Sequence, residues 1–167
     1  MLESQYLKDQ QLLLGRQITF LRIKAGFNNK ETVGKIYTGS DKRSSIISRF
    51  EKGNNLKLVS IIRLANIFKV PVYCFFDFQR KFRVIINDRY VDDLEVRLKS
   101  TLLMVAKNMK RLRKERNWSQ LDLEIETGID RATLGLYETG SENLEFDTLV
   151  IISQGFKVEV LQLLRAD

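Results

Sequence analysis

No histidine occurs in this 167-residue chain, and cysteine occurs once, at Cys74. A disulfide within the chain and a zinc site of cysteines and histidines are both excluded, as is acid–base chemistry by imidazole. Cys74 lies in the apolar run Val70-Pro71-Val72-Tyr73-Cys74-Phe75-Phe76. That setting suits a small buried hydrophobe, because a reactive thiol needs an accessible, electropositive place. There is no glycine-rich phosphate loop, no pair of carboxylates at a catalytic spacing and no metal-ligating cluster, so an enzyme is not expected. No cofactor and no small-molecule ligand is indicated. No window approaches the roughly 18 apolar residues of a membrane span. The N-terminus, Met1-Leu2-Glu3-Ser4-Gln5, lacks the basic-then-apolar pattern of a targeting signal. No membrane partner is expected, and the expected location is the cytoplasm. Proline occurs once, at Pro71, while 44% of residues are hydrophobic and 10% aromatic, which predicts a folded, helix-rich protein.

Charge is present, and it is unevenly spread. The net charge is +7 and the pI about 9.6, which points to an anionic partner. Residues 1–83 carry 16 cations against 6 anions, a net +10, so residues 84–167 total −3. From Asn117 onward 3 cations face 10 carboxylates. Affinity for nucleic acid comes mainly from phosphate neutralisation by Lys and Arg. The first half therefore carries the composition suited to an anionic partner.

The halves nevertheless share a pattern. Leu14, Ile18, Leu21 and Ala25 follow a helical spacing, and 91 positions on, Val105, Met109 and Leu112 repeat its first three places. Each series runs into Leu-Arg, four residues, an aromatic and two polar residues: Leu21-Arg22 to Phe27-Asn28-Asn29, and Leu112-Arg113 to Trp118-Ser119-Gln120. Glu51-Lys52-Gly53 then matches Glu138-Thr139-Gly140, Asn55-Leu56 matches Asn143-Leu144, and Phe68-Lys69-Val70 matches Phe156-Lys157-Val158. These ordered matches predict a tandem duplication of a unit of about 65 residues. The expected helices are 5–24, 30–36, 42–52, 58–68 and 72–76 in the first copy, and 94–116, 119–126, 131–139, 145–155 and 159–165 in the second. The chain is thus expected to be all-α, with a first domain at 1–78, a linker at 79–93 and a second domain at 94–167. In the linker, Lys81–Ile86 is β-branched and aromatic, Asn87-Asp88 can turn, and Arg89-Tyr90-Val91 could return as a small β-hairpin.

The most informative stretch is Ser40–Gly53. It reads as one helix, capped by Ser40 or Asp41 and stopped by Gly53. Ile46, Ile47 and Phe50 supply its apolar side. Lys42, Arg43, Ser45, Ser48, Arg49 and Lys52 are left outside, a face of cations and hydroxyls suited to phosphates and base edges.

Trp118-Ser119-Gln120 through Leu134, followed by Tyr137-Glu138-Thr139-Gly140, resembles the lambda-repressor-like (Xre) helix-turn-helix family over residues 101–165. Residues 10–77 resemble the same family less closely. Arg22 to Glu51 spans 29 residues where Arg113 to Glu138 spans 25, so four extra residues are expected between helices two and three. The resemblance implies two five-helix domains in tandem, each with its third helix in the major groove. It also implies structural ion pairs Arg22–Glu51 and Arg113–Glu138. DNA-binding positions carried over to the first copy are Asn29, Lys30, Lys42, Arg43, Ser44, Ser45, Ser48, Arg49, Lys52 and Asn54. Arg43 and Arg49 are the candidates for guanine edges. In the second copy Gln120, Arg131 and Thr133 are weaker candidates, since Gly135 and Leu136 stand where the first copy has Ser48 and Arg49. The expected function is a sequence-specific, double-stranded DNA-binding transcriptional regulator, a repressor acting by occlusion. The first domain would read DNA, and the second would mediate homodimerisation or protein contact. The rival is a protein-interaction module of the same fold, such as an antitoxin or immunity-type regulator. Lys107, Lys110, Arg111 and Lys114 form a basic helix face read chiefly as solvated. Tyr37, Phe75, Phe76 and Phe78 are aromatics that could stack on single-stranded bases but are expected in the core.

Overall fold

A computed structural model of the chain describes residues 3–87 and 93–166, and among these it is all-α with no β-strand. The helices are α1 (Ser4–Lys24), α2 (Lys30–Thr38), α3 (Ile46–Glu51), α4 (Leu58–Phe68), α5 (Leu94–Glu115), α6 (Gln120–Thr127), α7 (Arg131–Thr139), α8 (Phe146–Gly155) and α9 (Leu161–Leu164). Two 3-10 turns, Asp41–Arg43 and Val72–Phe76, complete the elements. No helix among the described residues is long and apolar enough to cross a membrane.

The long helices form where apolar residues recur at helical spacing, and they bury that stripe. Leu14, Ile18 and Leu21 of α1 are fully buried, as are Val105 and Met109 of α5. α1 packs on α3 and on the 3-10 turn at Val72–Phe76, and α5 packs on α7 and α9 in the same manner. α4 ends in a left-handed residue, Lys69 (φ 56°), with the Val70 amide bonded back to Ala65 O. Residues 153–158 repeat this closure, with Lys157 at φ 55° and the Val158 amide on Ser153 O. In each half an aromatic leaving the first long helix meets the phenylalanine of this closure: Phe27 on Phe68 at 6.0 Å, and Trp118 on Phe156 at 5.8 Å.

One apolar core runs through both halves, and the seam between them has a two-fold pattern. Lys57 and Glu145 form an isolated antiparallel bridge. Around it the Leu58 amide donates to Leu144 O at 2.8 Å and the Phe146 amide to Leu56 O at 2.7 Å. The Val59 amide donates to Asn143 Oδ1 at 3.2 Å, and the Asp147 amide to Asn55 Oδ1 at 3.0 Å. Every bond has a mate in which the two partners' positions are exchanged. The flanking helices follow suit, with α1 on α8 and α4 on α5. Tyr6 accepts from Gln154 at 2.8 Å on one flank, and Arg97 donates to Asn66 on the other. Phe76 and Phe78 both pack on Phe146 across the seam, at 6.2 and 6.3 Å.

The stretch expected to be one helix, 42–52, is broken. Ser40 caps a 3-10 turn at Asp41–Arg43, and α3 begins only at Ile46. The cause is a close crossing: a Cβ on Gly34 of α2 would lie 1.9 Å from Ser44 O. The backbone at Ser44 is thus pressed onto α2, and it keeps right-handed torsions there as a tighter turn in place of a continuous α-helix. The four extra residues are also not all between the second and third helices. α2 has its N-cap at Asn29, where α6 has Ser119, so one precedes α2. A second lengthens α2 to 9 residues against 8 in α6, and the remaining two lie after Gly39. The outward half of the expected hairpin, residues 81–87, contains no strand. Phe82 instead packs edge-on against Tyr73 at 6.0 Å beneath the Arg165 guanidinium, while Arg89-Tyr90-Val91 lies outside the described residues.

Two glycines inside nine-residue helices should respond oppositely to alanine. Gly34→Ala meets Ser44 backbone and should lose about 1–3 kcal/mol as an overpacked site. Gly135→Ala, inside α7 with open space beside it, should gain about 0.5–1 kcal/mol from reduced backbone entropy. Denaturant midpoints of the two variants check both signs.

Candidate nucleic-acid interface

Each half holds a short helix against its first long helix through a buried carboxylate. In the first, Arg22 Nε donates to Glu51 Oε1 at 2.6 Å, and its Nη1 closes the loop after α1 by donating to Phe27 O and Asn28 O at 2.6 and 3.0 Å. Lys30 Nζ lies 2.8 Å from Glu51 Oε2, an ion-pair contact outside hydrogen-bond directions. In the second, Arg113 grips Glu138 with both prongs, Nε to Oε1 at 2.7 Å and Nη2 to Oε2 at 3.0 Å, while Nη1 donates to Trp118 O at 2.9 Å. Gln120 Nε2 donates to Glu138 Oε2 at 3.0 Å. Glu51 and Glu138 side chains are only 4% and 2% exposed, so neither is a solvated surface charge.

This geometry corrects the sequence register. Asn29 was matched to Gln120, but Asn29 is the N-cap of α2, its side chain accepting from the Glu31 amide at 2.7 Å. The residue placed like Gln120 is Lys30, since both reach the second oxygen of the buried glutamate. Lys30 was expected as a phosphate contact, yet it is engaged with Glu51. This role was legible only after placing the cap, because the extra residue before α2 hides the correspondence.

The remaining candidates of the first half divide by exposure. Lys42, Arg43, Ser45, Arg49 and Lys52 are exposed, and Ser44, Ser48 and Asn54 are half-buried. Ile47 and Phe50 on the opposite side of α3 are buried, so Arg49 and Ser48 are held outward by a fixed helix. Arg43 precedes α3 on the 3-10 turn, on a different backbone path from Arg49. Tyr37 meets Phe50 edge-on at 5.4 Å and carries the Arg63 guanidinium at 4.9 Å. Phe75 and Phe76 are buried in the core, and Phe78 is half-buried against Phe146, so none of these three offers a face to a base.

In the second half many carboxylates have structural work. Asp122 completes a capping box with Ser119, and Asp130 caps α7 at the Thr133 amide, 3.0 Å away. Hydrogen bonds from Ser119 and from Thr133, respectively, hold these two carboxyls below the ordinary range. Arg131 Nε lies 2.9 Å from Glu124 Oε2, and Thr133 Oγ1 donates to Asp130 at 2.7 Å, so these two weaker candidates, like Gln120 on Glu138, have local partners. Leu121, Ile125 and Leu136 are exposed. On α5, Lys107, Lys110 and Lys114 are exposed and Arg111 pairs with Glu115 at 2.9 Å. Cys74 is buried, and burial, then the Asp77 charge, pushes its thiol up to about 11.

The helix-turn-helix family model matches residues 109–163. Those residues are a helix-turn-helix domain. Antitoxin PezA of Streptococcus pneumoniae is 34% identical over 64 residues, which is 38% of this chain and 40% of that protein. The chain thus spans well under half the length of this curated relative. No solved structure matches it significantly.

Burial pushes the Glu138 carboxyl up, but hydrogen bonds from Arg113 and Gln120 and the charges of Arg113 and Lys110 outweigh it and hold it below the usual range. A carboxyl lowered on folding contributes stability above its unfolded pKa, about 4.3, and loses it as pH falls through the lower folded value. Glu138→Gln should therefore cost about 3 kcal/mol at pH 7, the low end for a broken buried pair because Arg113 keeps some contact with water. The deficit should shrink as pH drops below about 4. Urea titrations of parent and variant across that range measure it.

Proposed function

We propose that the chain is a duplex-DNA-binding transcriptional regulator built from a tandem duplication of one helix-turn-helix unit, with residues 1–78 and 94–167 as its copies and 79–93 between them. The observation that carries the reading is the buried Arg–Glu clamp. It recurs as Arg22–Glu51 and Arg113–Glu138, and the second instance lies within the matched helix-turn-helix region. Paired packing of α1–α3 and α5–α7, and the shared left-handed closures at Lys69 and Lys157, support the duplication. The first copy is the principal reader. Its exposed Arg43, Ser45, Arg49 and Lys52 join a half carrying net +10, which suits phosphate neutralisation plus guanine recognition. Bound across a promoter, such a protein represses by occlusion. The homodimer expected for the second copy is replaced, on this reading, by its seam with the first copy in the same chain.

A second reading has its own support. The relative bears the name antitoxin, and Leu121 and Ile125 stand exposed one turn apart on α6, with Ile125 at 71%. A protein-binding regulator would use that face.

Selection of duplexes from a random library by the full chain, at two salt concentrations, separates the two. A regulator returns a motif. Arg49→Ala then relaxes one position by about 1–3 kcal/mol, and Lys52→Ala weakens all sequences alike while reducing the salt slope by about one. Failure to enrich any duplex at low salt would favour the protein-binding reading.

A further inference from the structure

We infer that one chain does the work of a repressor dimer: its internal two-fold seats two unequal DNA-reading heads, α3 and α7, on adjacent half-sites of a single asymmetric operator. This rests on the DNA-binding reading above and specifies how that DNA is read. The backbone bonds at the centre of the seam are reciprocal. Leu58 to Leu144 is mated by Phe146 to Leu56, and Val59 to Asn143 by Asp147 to Asn55. The Lys57–Glu145 bridge pairs equivalent positions with each other, which is the arrangement found where a two-fold axis passes between identical subunits. Rotation about such an axis leaves height along it unchanged. α3 and α7, each leading directly into the seam, therefore stand at the same height along that axis.

Chain length bounds their separation. The eight residues from Arg49 to Lys57 reach at most about 28 Å and the nine from Leu136 to Glu145 about 32 Å. With about 5 Å across the bridge, the heads lie within roughly 65 Å. Half-sites one turn apart, about 34–36 Å, are within reach, and half-sites two turns apart, about 70 Å, are not. The shared core and the Arg97 contacts to Asn66 and Val70 O fix the heads rigidly, so spacing is set by the fold rather than by the linker.

The heads differ in chemistry. α3 presents Ser48 and Arg49 where α7 has Gly135 and Leu136. The first suits a guanine-bearing half-site. The second, with Ala132 and Leu136 exposed, suits thymine methyls. Its carboxylates Asp122, Glu124 and Asp130 reduce the phosphate contribution, so the second half-site adds discrimination more than affinity.

The test uses the duplex selected by the full chain. Hydroxyl-radical footprinting should give two protected patches about one turn apart, unequal in depth, and sedimentation should give one chain per duplex. Inserting five base pairs between the patches rotates the second half-site to the far side of the helix. The second protection should vanish and affinity should fall about tenfold or more, through loss of the linked second contact. Leu136→Glu should remove the second patch and leave the first, with an unchanged melting temperature to show the fold intact. A single patch, two chains per duplex, or affinity indifferent to the insertion would overturn this inference while leaving duplex binding in place. Absence of duplex binding would overturn the underlying reading instead.

Discussion

The reciprocal hydrogen bonds at the seam are the constraint on which the molecule depends. Residues 54–57 and 141–145 must leave one helix and enter the next within a few residues, so the Leu56 and Leu144 carbonyls lie outside the helical hydrogen-bond ladders. Leu56 and Leu144 are buried, as are Leu58 and Phe146 beside them, so these two carbonyls have little water to turn to. They find their partners in the Phe146 and Leu58 amides of the other half, with the Asn55 and Asn143 side chains covering the first-turn amides of α8 and α4. Net gains per bond are about 0.5–1.5 kcal/mol, but the penalty for leaving such groups buried and unpaired is about 1–3 kcal/mol each. The segments are therefore stable together and costly apart. Asn55 adds a bond to Glu145 at 2.7 Å, and Gln11 reaches both oxygens of Asp147 at 2.9 Å, extending the polar rim over the apolar core.

From that seam outward, the buried carboxylates place the short helices. α3 has only 6 residues, too few to be stable by its own hydrogen bonds. Glu51 at its end, bound by Arg22 and faced by Lys30, ties it to α1 and α2 together. Glu138 does the same for α7 through Arg113 and Gln120. Replacing glutamine by lysine changes the kind of contact: Gln120 donates one directed bond, whereas Lys30 supplies charge. The Arg22 side then spends two donors on the carbonyls of Phe27 and Asn28, which holds down the extra residue inserted before α2.

Much of this was legible in the sequence, and the exceptions have physical causes. α4, α7 and the turn at Val72–Phe76 fall on the expected residues, because strong apolar periodicity and clear stop signals coincide there. The break before α3 was hidden, since Ser40–Lys52 has good helical spacing and nothing local reports that Gly34 admits the Ser44 backbone. Lys81–Ile86 has strand-like side chains, yet among the described residues no strand edge offers it a ladder; Phe82 packs against Tyr73 instead. The match of Asn55-Leu56 to Asn143-Leu144 was visible as a repeat. That equal positions also touch was not, because a repeat gives correspondence and only the fold gives contact.

The position of Gly34 explains why the two halves present different faces. Counting from the N-caps Asn29 and Ser119, Gly34 corresponds to Glu124. In the first half a glycine lets the connecting strand of chain lie directly on α2, burying that face and carrying Lys42 and Arg43 outward on the 3-10 turn. In the second half a glutamate stands at this place and pairs with Arg131, neutralising one of only three cations beyond Asn117. A single small residue thus frees the basic groups of the first half, and its counterpart consumes a basic group in the second. The charge asymmetry read along the chain is enlarged in space, because the fold exposes cations in one half and pairs a scarce one in the other.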